Sequence, residues 1–173
     1  QTKDNAMKQI AFEQALDCLA RQWTELNWDF RKCMIRGGVE KVSQWQGDPE
    51  DDVMVVVFKG TQIHEPYHRQ DFFFFNYCLQ NSYGALSEDS ENLISIEEGD
   101  FYIGQPYSGY ALRGESKKGD IVMIGVHIKK EVFFREYLPA FSVDPDMFRF
   151  FLEPEKDRFS DESIHLHLGS DSP

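Results

Sequence analysis

The feature that most constrains the fold is a long series of short β-type segments between residues 53 and 128. Runs of β-branched and aromatic residues alternate with turn-forming residues, as at Lys59-Gly60, 97–100 and 117–120. Many short strands at regular spacing predict a sandwich or a small barrel. The predicted strands cover residues 53–59, 71–79, 93–96, 101–103, 110–113 and 121–128.

A long helix is predicted before these strands, over residues 6–36, with Gly37-Gly38 as its stop. Apolar residues recur every three or four positions and form one stripe. The stripe consists of Phe12, Leu16, Leu19, Trp23, Leu26, Phe30 and Cys33. It fits two roles, packing on the domain's own sheet or forming a dimer seam. A break near Asn27 would split this helix in two.

The remaining segments are shorter. Residues 39–50 are predicted as a loop or a short strand. Residues 130–141 and 145–152 are predicted as two short helices, the second capped by Asp144. Residues 164–168 alternate in polarity and predict one more strand.

Charge and composition exclude several classes of function. The chain has 173 residues and a net charge of −12, so we expect no binding of nucleic acid by this chain alone. No apolar run approaches the length of a transmembrane helix. The three cysteines are far apart and form no metal-type spacing, which favours buried free thiols in a reducing cytosol. We therefore expect a cytoplasmic protein.

Two segments resemble the sensor barrel of AraC-family transcription regulators. Residues 67–74 have the sequence YHRQDFFF, where that family commonly has H-x-H-D-x-x-E before an aromatic strand. Residues 99–110 have the sequence GDFYIGQPYSGY, similar to the family's G-D-x-x-x-I-x-P-x-x-P-H. The strand at 120–128 and the helix at 130–137 are also similar to the segments that come after the barrel motifs in that family. The resemblance covers residues 55–170 and depends on the order and spacing of these pieces.

The resemblance implies a mainly β, cupin-like (double-stranded β-helix) barrel with an N-terminal helix and C-terminal helices. It divides the chain into an N-terminal helical segment, 1–38, and a sensor barrel with appended helices, 39–173. It implies the effector-sensing and dimerisation domain of a bacterial regulator, with a small molecule and a second copy as partners. We expect no membrane partner. We also expect contact with DNA only through a helix-turn-helix domain that is absent from this chain.

The same alignment bears on a metal site. Cupin enzymes hold a metal with two histidines and a carboxylate from the first segment and one histidine from the second. Here the four positions hold His68, Gln70, Phe74 and Tyr110. Glutamine binds first-row metals poorly and phenylalanine does not bind them. We therefore expect no metal, no other cofactor and no enzymatic activity.

A ligand pocket is the alternative use of these positions. Strand periodicity aims alternate side chains of the first segment inward. The predicted ligand-binding residues are His68, Gln70, Phe72, Phe74, Asn76 and Tyr110. Tyr110 would supply a phenolic donor, Gln70 an amide and Phe74 a stacking face.

Two other hypotheses stay open. Phe72 and Phe74 could fill the barrel, which would leave a dimerisation module without a ligand. A stand-alone cupin enzyme, a metal-dependent isomerase or dioxygenase, is the other. Outside the barrel, His165 and His167 share one face of a strand and fit either a metal site or a solvated face. Pro66 is expected to bend the chain between His64 and His68, and His64 is given no role.

Overall fold

The N-terminal region combines a helix with a β-hairpin. The computed structural model describes residues 2–25, 30–35, 37–87, 92–152 and 162–168. Helix α1 (Thr2–Glu25) is followed by β1 (Phe30–Ile35) and β2 (Gly38–Ser43), which pair antiparallel. The prediction of one helix over 6–36 is therefore wrong from Phe30 onward, and Leu26 and Asn27 lie outside the described residues. Gly37, with a φ of 81°, supplies the left-handed turn of the hairpin.

The hairpin replaces the helix because its apolar residues are buried by the barrel. Ile35 and Val42 pack together with Tyr107, and Cys33 lies against them. Strand β2 also pairs in parallel with the barrel strand that contains Arg69. The spacing of Phe30 and Cys33 fits a helical stripe, but these tertiary contacts favour strand.

The barrel consists of eight strands in the order that defines a double-stranded β-helix. They are β3 (Val53–Gly60), β4 (Gln62–Gln70), β5 (Phe72–Gln80), β6 (Tyr83–Ser87), β7 (Asn92–Ile96), β8 (Asp100–Gly104), β9 (Tyr110–Glu115) and β10 (Ile121–Lys129). One sheet has the order β8-β5-β10-β3 and the other β4-β9-β6-β7. This alternation between two antiparallel sheets is the jelly-roll arrangement of cupins. The predicted fold class, a mainly β cupin-like barrel, is confirmed.

The sequence missed two of these strands. Strand β4 was not predicted as a separate strand, and its polar residues and Pro66 mask the pattern. Strand β6 begins at Tyr83 and contains Gly84, a residue type that usually marks a turn. A side chain at Gly84 would collide with Leu93, so this glycine allows close packing of β6 on β7.

Helices cover the outer face of the β3-containing sheet. Leu16 of α1 packs on Val57 and Val122. After β10, helix α2 (Lys130–Val132) continues through a π-helical turn (Phe133–Tyr137) and a 3-10 turn (Leu138–Phe141) to α3 (Pro145–Leu152). These C-terminal helices pack an aromatic cluster against Phe73 and Ile103. The two C-terminal helical predictions and the β11 strand (Ser163–His167) are confirmed within one or two residues.

Local chemistry accounts for the start of α3 and for the thiols. The Asp144 carboxylate accepts hydrogen bonds from the backbone N–H groups of Asp146 and Met147, both at 3.0 Å, which is the predicted N-cap. Cys78 is buried, but Cys18 is exposed, so the expectation of buried thiols is wrong for Cys18. Among the described helices, none has both the length and the apolarity needed to cross a bilayer.

Candidate functional site

A bulge in β4 decides which side chains enter the barrel. The pairing of β4 with β9 shifts register between Glu65 and His68, where Pro66 interrupts the ladder. Ile63 belongs to the barrel core on one side of the bulge, and buried Gln70 lies on the other. Because an extra residue moves the alternation to the opposite face, odd-numbered residues point inward before the bulge and even-numbered residues after it.

The bulge places Glu65 and His68 in one cavity inside the barrel. The cavity has a volume of about 270 Å³. Its described lining residues are Trp23, Phe30, His64, Glu65, Pro66, His68, Asn76, Tyr110, Leu112, Met123 and His127. The lining comes from helix α1, strand β1 and four barrel strands. A concave, largely apolar site with a few converging polar groups is typical of small-molecule binding.

The N-terminal elements contribute two aromatic side chains to this cavity. Trp23, near the end of α1, packs edge-on against Phe58 with ring centroids 6.5 Å apart. Phe30, at the start of β1, packs edge-on against His68 at 5.7 Å. The hairpin that carries Phe30 is held to the barrel by Arg69, whose guanidinium donates to the Glu40 carboxylate and to the Tyr107 carbonyl. Each N-terminal element thus contacts the inside of the barrel.

The six predicted ligand-binding residues divide into two groups. All six are buried, as the inward alternation predicted. His68, Asn76 and Tyr110 line the cavity, whereas Gln70, Phe72 and Phe74 pack beside it. The barrel therefore combines a filled part with an open part, so the filled-barrel hypothesis describes only the region around Phe72 and Phe74.

Tyr110 is the centre of the packed group. Its hydroxyl donates a hydrogen bond to Gln70 Oε1 at 3.0 Å. Its ring lies 4.7 Å from the Phe74 ring and 4.8 Å from the His68 ring. The four positions that correspond to the metal ligands of cupin enzymes are thus connected through Tyr110. Tyr110 uses its proton on Gln70, so the predicted phenolic donor is already paired within the protein.

This group of side chains does not fit a metal ion. Of its four members only His68 is a strong ligand for a first-row metal. The His68 Nδ1–H donates to the Pro66 carbonyl at 2.8 Å, and the Phe74 ring stands where a carboxylate would be required. Across the described ranges, no cluster of three His, Cys, Asp or Glu side chains is arranged to hold a metal.

The sequence did not indicate two residues that set the electrostatics of the cavity, Glu65 and His127. Burial raises the pKa of Glu65 to about 7, and the nearby Arg113 guanidinium opposes this shift. Burial lowers the pKa of His127 to about 3, and the neighbouring His68 adds to that effect. Burial also lowers the pKa of His68. At neutral pH the imidazoles of His68 and His127 are therefore neutral, and the Glu65 carboxyl group is close to half ionised.

The sequence pattern points to some of these cavity residues and not to others. Strand β10 was predicted correctly, and alternation along it from Met123 would have pointed His127 inward. Glu65 carried no such signal, because alternation counted back from His68 turns it outward without the bulge. Trp23 and Phe30 belong to segments that are remote in sequence from the barrel strands, so their approach to the cavity depends on tertiary structure.

Several buried polar atoms around the cavity have no protein partner. Asn76 Oδ1 and His127 Nδ1 are both inaccessible to solvent and lack a hydrogen bond. Gly125 lies between them, and a Cβ at this position would come within 2.9 Å of Asn76 Oδ1 and 3.2 Å of His127 Nε2. Unpaired buried polar atoms cost free energy, and they are uncommon unless a water or a ligand pairs with them.

The C-terminal histidines do not enter this site. His165 Nε2 and His167 Nδ1 lie 2.8 Å and 2.5 Å from the two oxygens of the Asp100 carboxylate, which is 1% exposed. The contacts join β11 to β8 at the edge of the sheet. Both histidines are exposed, as the prediction of a solvated face requires, and they also pair with a buried carboxylate, which the sequence did not indicate.

Comparison with known proteins gives likeness in structure alone. No protein-family model matches the sequence, and no curated protein matches it significantly. The structure is similar to a cupin superfamily protein from Desulfitobacterium hafniense DCB-2, with 16% identity over 47% of this chain and 72% of that chain and a TM-score of 0.41. It is similar to an RmlC-like cupin from Desulfovibrio desulfuricans, with 12% identity over 47% and 76% of the chains and a TM-score of 0.39. It is also similar to apo ToxT K231A from Vibrio cholerae, with 13% identity over 68% of this chain and 42% of that chain and a TM-score of 0.48.

Proposed function

We propose that this chain is the effector-sensing and dimerisation domain of a bacterial, cytoplasmic AraC-type transcription regulator and that it binds a small molecule inside the barrel. The observation that carries the proposal is the cavity of about 270 Å³, with unpaired polar atoms on Asn76 and His127. In this proposal the helix-turn-helix motifs that contact DNA belong to another domain of the regulator. The net charge of −12 supports that division, since an acidic surface repels phosphate.

A binding role is supported over metal-dependent catalysis by the side chains at the metal positions of the cupin enzymes. Phe74 and Tyr110 pack together there, and Gln70 is engaged by the Tyr110 hydroxyl. The open space lies beside this group and is lined by Leu112, Met123 and His127. A ligand there would meet a rigid aromatic wall on one side and unpaired polar atoms on the other.

The N-terminal segment supplies a route from ligand to the rest of the regulator. A molecule in the cavity contacts Trp23 of α1 and Phe30 of β1. A ligand shifts a conformational equilibrium when its affinity differs between two arrangements, and these contacts provide such a difference. We propose residues 1–38 as the segment that responds and residues 39–173 as the sensor barrel.

The first half of α1 supports dimerisation. Met7, Ile10 and Phe12 are 64%, 58% and 45% exposed, whereas Leu16 packs on the sheet. Met7 and Ile10 are three positions apart and share one face of the helix, and neighbouring exposed apolar side chains are typical of protein interfaces. Sedimentation equilibrium is expected to show a dimer at tens of micromolar, and Ile10→Lys is expected to shift it toward monomer.

A thermal-shift screen of metabolites tests the binding proposal. A molecule at 100 times its Kd should stabilise the domain by about 2.7 kcal/mol. Met123→Trp, which places a large ring in the cavity, is expected to abolish the shift. Met34→Trp is the matched control, because Met34 is 72% exposed on β1. A panel without any binder, or a shift that survives Met123→Trp in a folded domain, would contradict the proposal.

A further inference from the structure

We propose that the cavity is selective for small organic molecules that carry a protonated amine, with the ammonium group held by the Glu65 carboxylate among aromatic rings. The inference rests on the proposed function and specifies the chemical class of its ligand. It is carried by the chemistry of the cavity lining, where Glu65 is the acidic residue among the described residues and stands with aromatic side chains.

The hydrogen bonds that Tyr110 and His68 make within the protein use their donors and leave acceptor atoms available. Asn76 Oδ1 is buried and unpaired. The Tyr110 hydroxyl donates its hydrogen bond to Gln70, so only its lone pairs are available to another partner. The His68 Nδ1–H donates to the Pro66 carbonyl, so Nε2 of the neutral ring is an acceptor. An ammonium group brings three donors, which suits acceptors such as His68 Nε2 and the Tyr110 hydroxyl oxygen.

The charge that the described lining residues place at the cavity is negative. Among the described lining residues Glu65 is the carboxylic acid, and neither lysine nor arginine occurs. The nearest cation, Arg113, donates from Nη1 to the backbone carbonyls of Glu65 and Leu112. A ligand carboxylate or phosphate would therefore meet a like charge at Glu65 and neither lysine nor arginine among the described lining residues, whereas a cation would meet an opposite charge.

Aromatic rings complete the arrangement. Trp23 and Phe30 line the cavity, and the faces of such rings attract cations, with tryptophan the strongest. Leu112 and Met123 provide apolar surface for a carbon skeleton. The volume of about 270 Å³ suits a ligand of one or two rings rather than a long chain.

The inference predicts a specific dependence of affinity on pH. Arg113 and Tyr110 on β9 and Tyr83 on β6 interact electrostatically with Glu65, and the same cavity is lined by His64, His68 and His127. Burial raises the pKa of Glu65 to about 7, so its carboxylate forms between pH 6 and 8. Arylalkylamines such as benzylamine, whose amine is on a saturated carbon, stay protonated over this range. Their affinity should therefore rise with pH, and Glu65→Gln should remove the rise.

The test uses three amines: benzylamine, 2-phenylethylamine and tryptamine. Each is measured beside the alcohol and the carboxylic acid of the same carbon skeleton by titration calorimetry at pH 6, 7 and 8. We expect at least one amine to bind at pH 8 at least tenfold more tightly than its alcohol and its acid. Glu65→Gln is expected to lower that affinity at least tenfold, while Glu50→Gln, on an exposed loop, leaves it unchanged.

Other results separate this inference from the proposed function. If the alcohols or the acids bind as tightly as the amines, if no amine binds, or if folded Glu65→Gln keeps its affinity, the amine selectivity is wrong. In those cases the proposed function stands as long as other metabolites bind in the cavity. If neither these probes nor any metabolite binds, both proposals fail. Should Glu65→Gln not fold, the pH dependence of the native protein decides: an affinity that is flat or falls with pH overturns the inference.

Discussion

The two sides of the barrel share one fold but differ in packing, since one is filled by side chains and the other contains a cavity. On the side formed by β6, β7 and β8, the closed side, buried Tyr83, Ile96 and Tyr102 fill the interior. On the side formed by β4, β5, β9 and β10, the open side, Glu65, Asn76 and His127 surround a cavity. The closed side gains stability from close packing. The open side gives up part of that stability, because a cavity of about 270 Å³ interrupts its packing, whereas buried polar atoms without partners occur on both sides, as at Asn76 Oδ1 and the Tyr83 hydroxyl.

The largest effect is expected on the closed side. Ile96→Ala removes a fully buried side chain and should lower the free energy of unfolding by about 2–5 kcal/mol. Leu93→Ala on the same strand is the control, since Leu93 is 62% exposed and should change stability by no more than about 0.5 kcal/mol. Urea denaturation measures both. Equal costs for the two variants would contradict the division into a packed and an open side.

On the open side, replacement of Glu65 by glutamine should increase the free energy of unfolding by an amount that depends on pH. Its pKa is about 7 in the folded state against 4.5 ordinarily, so the folded state binds more protons between these values. Stability contributed by the protonated form is therefore lost as pH rises from 4.5 to 7. Glu65→Gln should exceed the native protein in stability at pH 8, by no more than about 3 kcal/mol, and the difference should shrink toward pH 5.

The control for this measurement is Glu50→Gln, which should follow the native protein at every pH. His127 acts with the opposite sign, because its neutral form is the buried one and stability is lost as the pH falls below 6.5. Comparison of Glu65→Gln with the native protein isolates the carboxyl group. A difference that grows toward low pH would show that Glu65 is not buried in its neutral form.

Two buried amides should respond in opposite directions. Asn76→Leu removes the unpaired Asn76 Oδ1 and should stabilise the domain by about 1 kcal/mol. Gln70→Leu also removes an unpaired atom, Gln70 Nε2, but it leaves the Tyr110 hydroxyl without its acceptor, so on balance it should destabilise by less than about 3 kcal/mol. Chemical denaturation compares the pair. A loss of stability in Asn76→Leu as large as that in Ile96→Ala would make Asn76 part of the structural core.

The smallest effect is expected at the edge of the closed side. Burial by itself raises the pKa of Asp100, but hydrogen bonds from His165, the Glu97 N–H and His167 outweigh it and lower the pKa below its usual value. The stability linked to this carboxylate is lost as the pH falls below about 3.8. The His167 side chain is 66% exposed, so His167→Gln should cost less than about 1 kcal/mol at neutral pH. Thermal unfolding at pH 7 and pH 3 measures the change, and a larger cost would mean that β11 closes the barrel.

The sequence by itself determined the class of the fold, because strand periodicity and turn residues are local properties. The alternation along 68–76 identified a set of inward side chains, and all of its named members are buried. The loss of metal-ligand chemistry at Gln70, Phe74 and Tyr110 followed from residue type. The helices after Lys130 followed from their spacing and from the Asp144 cap.

Only the tertiary structure decided where the open space lies. The bulge at Pro66 turns Glu65 inward, and a shift of one residue cannot be read from alternation that is interrupted by a proline. Phe30 lies in a strand rather than a helix because the hairpin is held by Arg69 and Tyr107, which are distant in sequence. The cavity depends on side chains of α1, β1, β4, β5, β9 and β10 meeting in space. Such non-local packing overrides local propensity, and no pattern within a single segment encodes it.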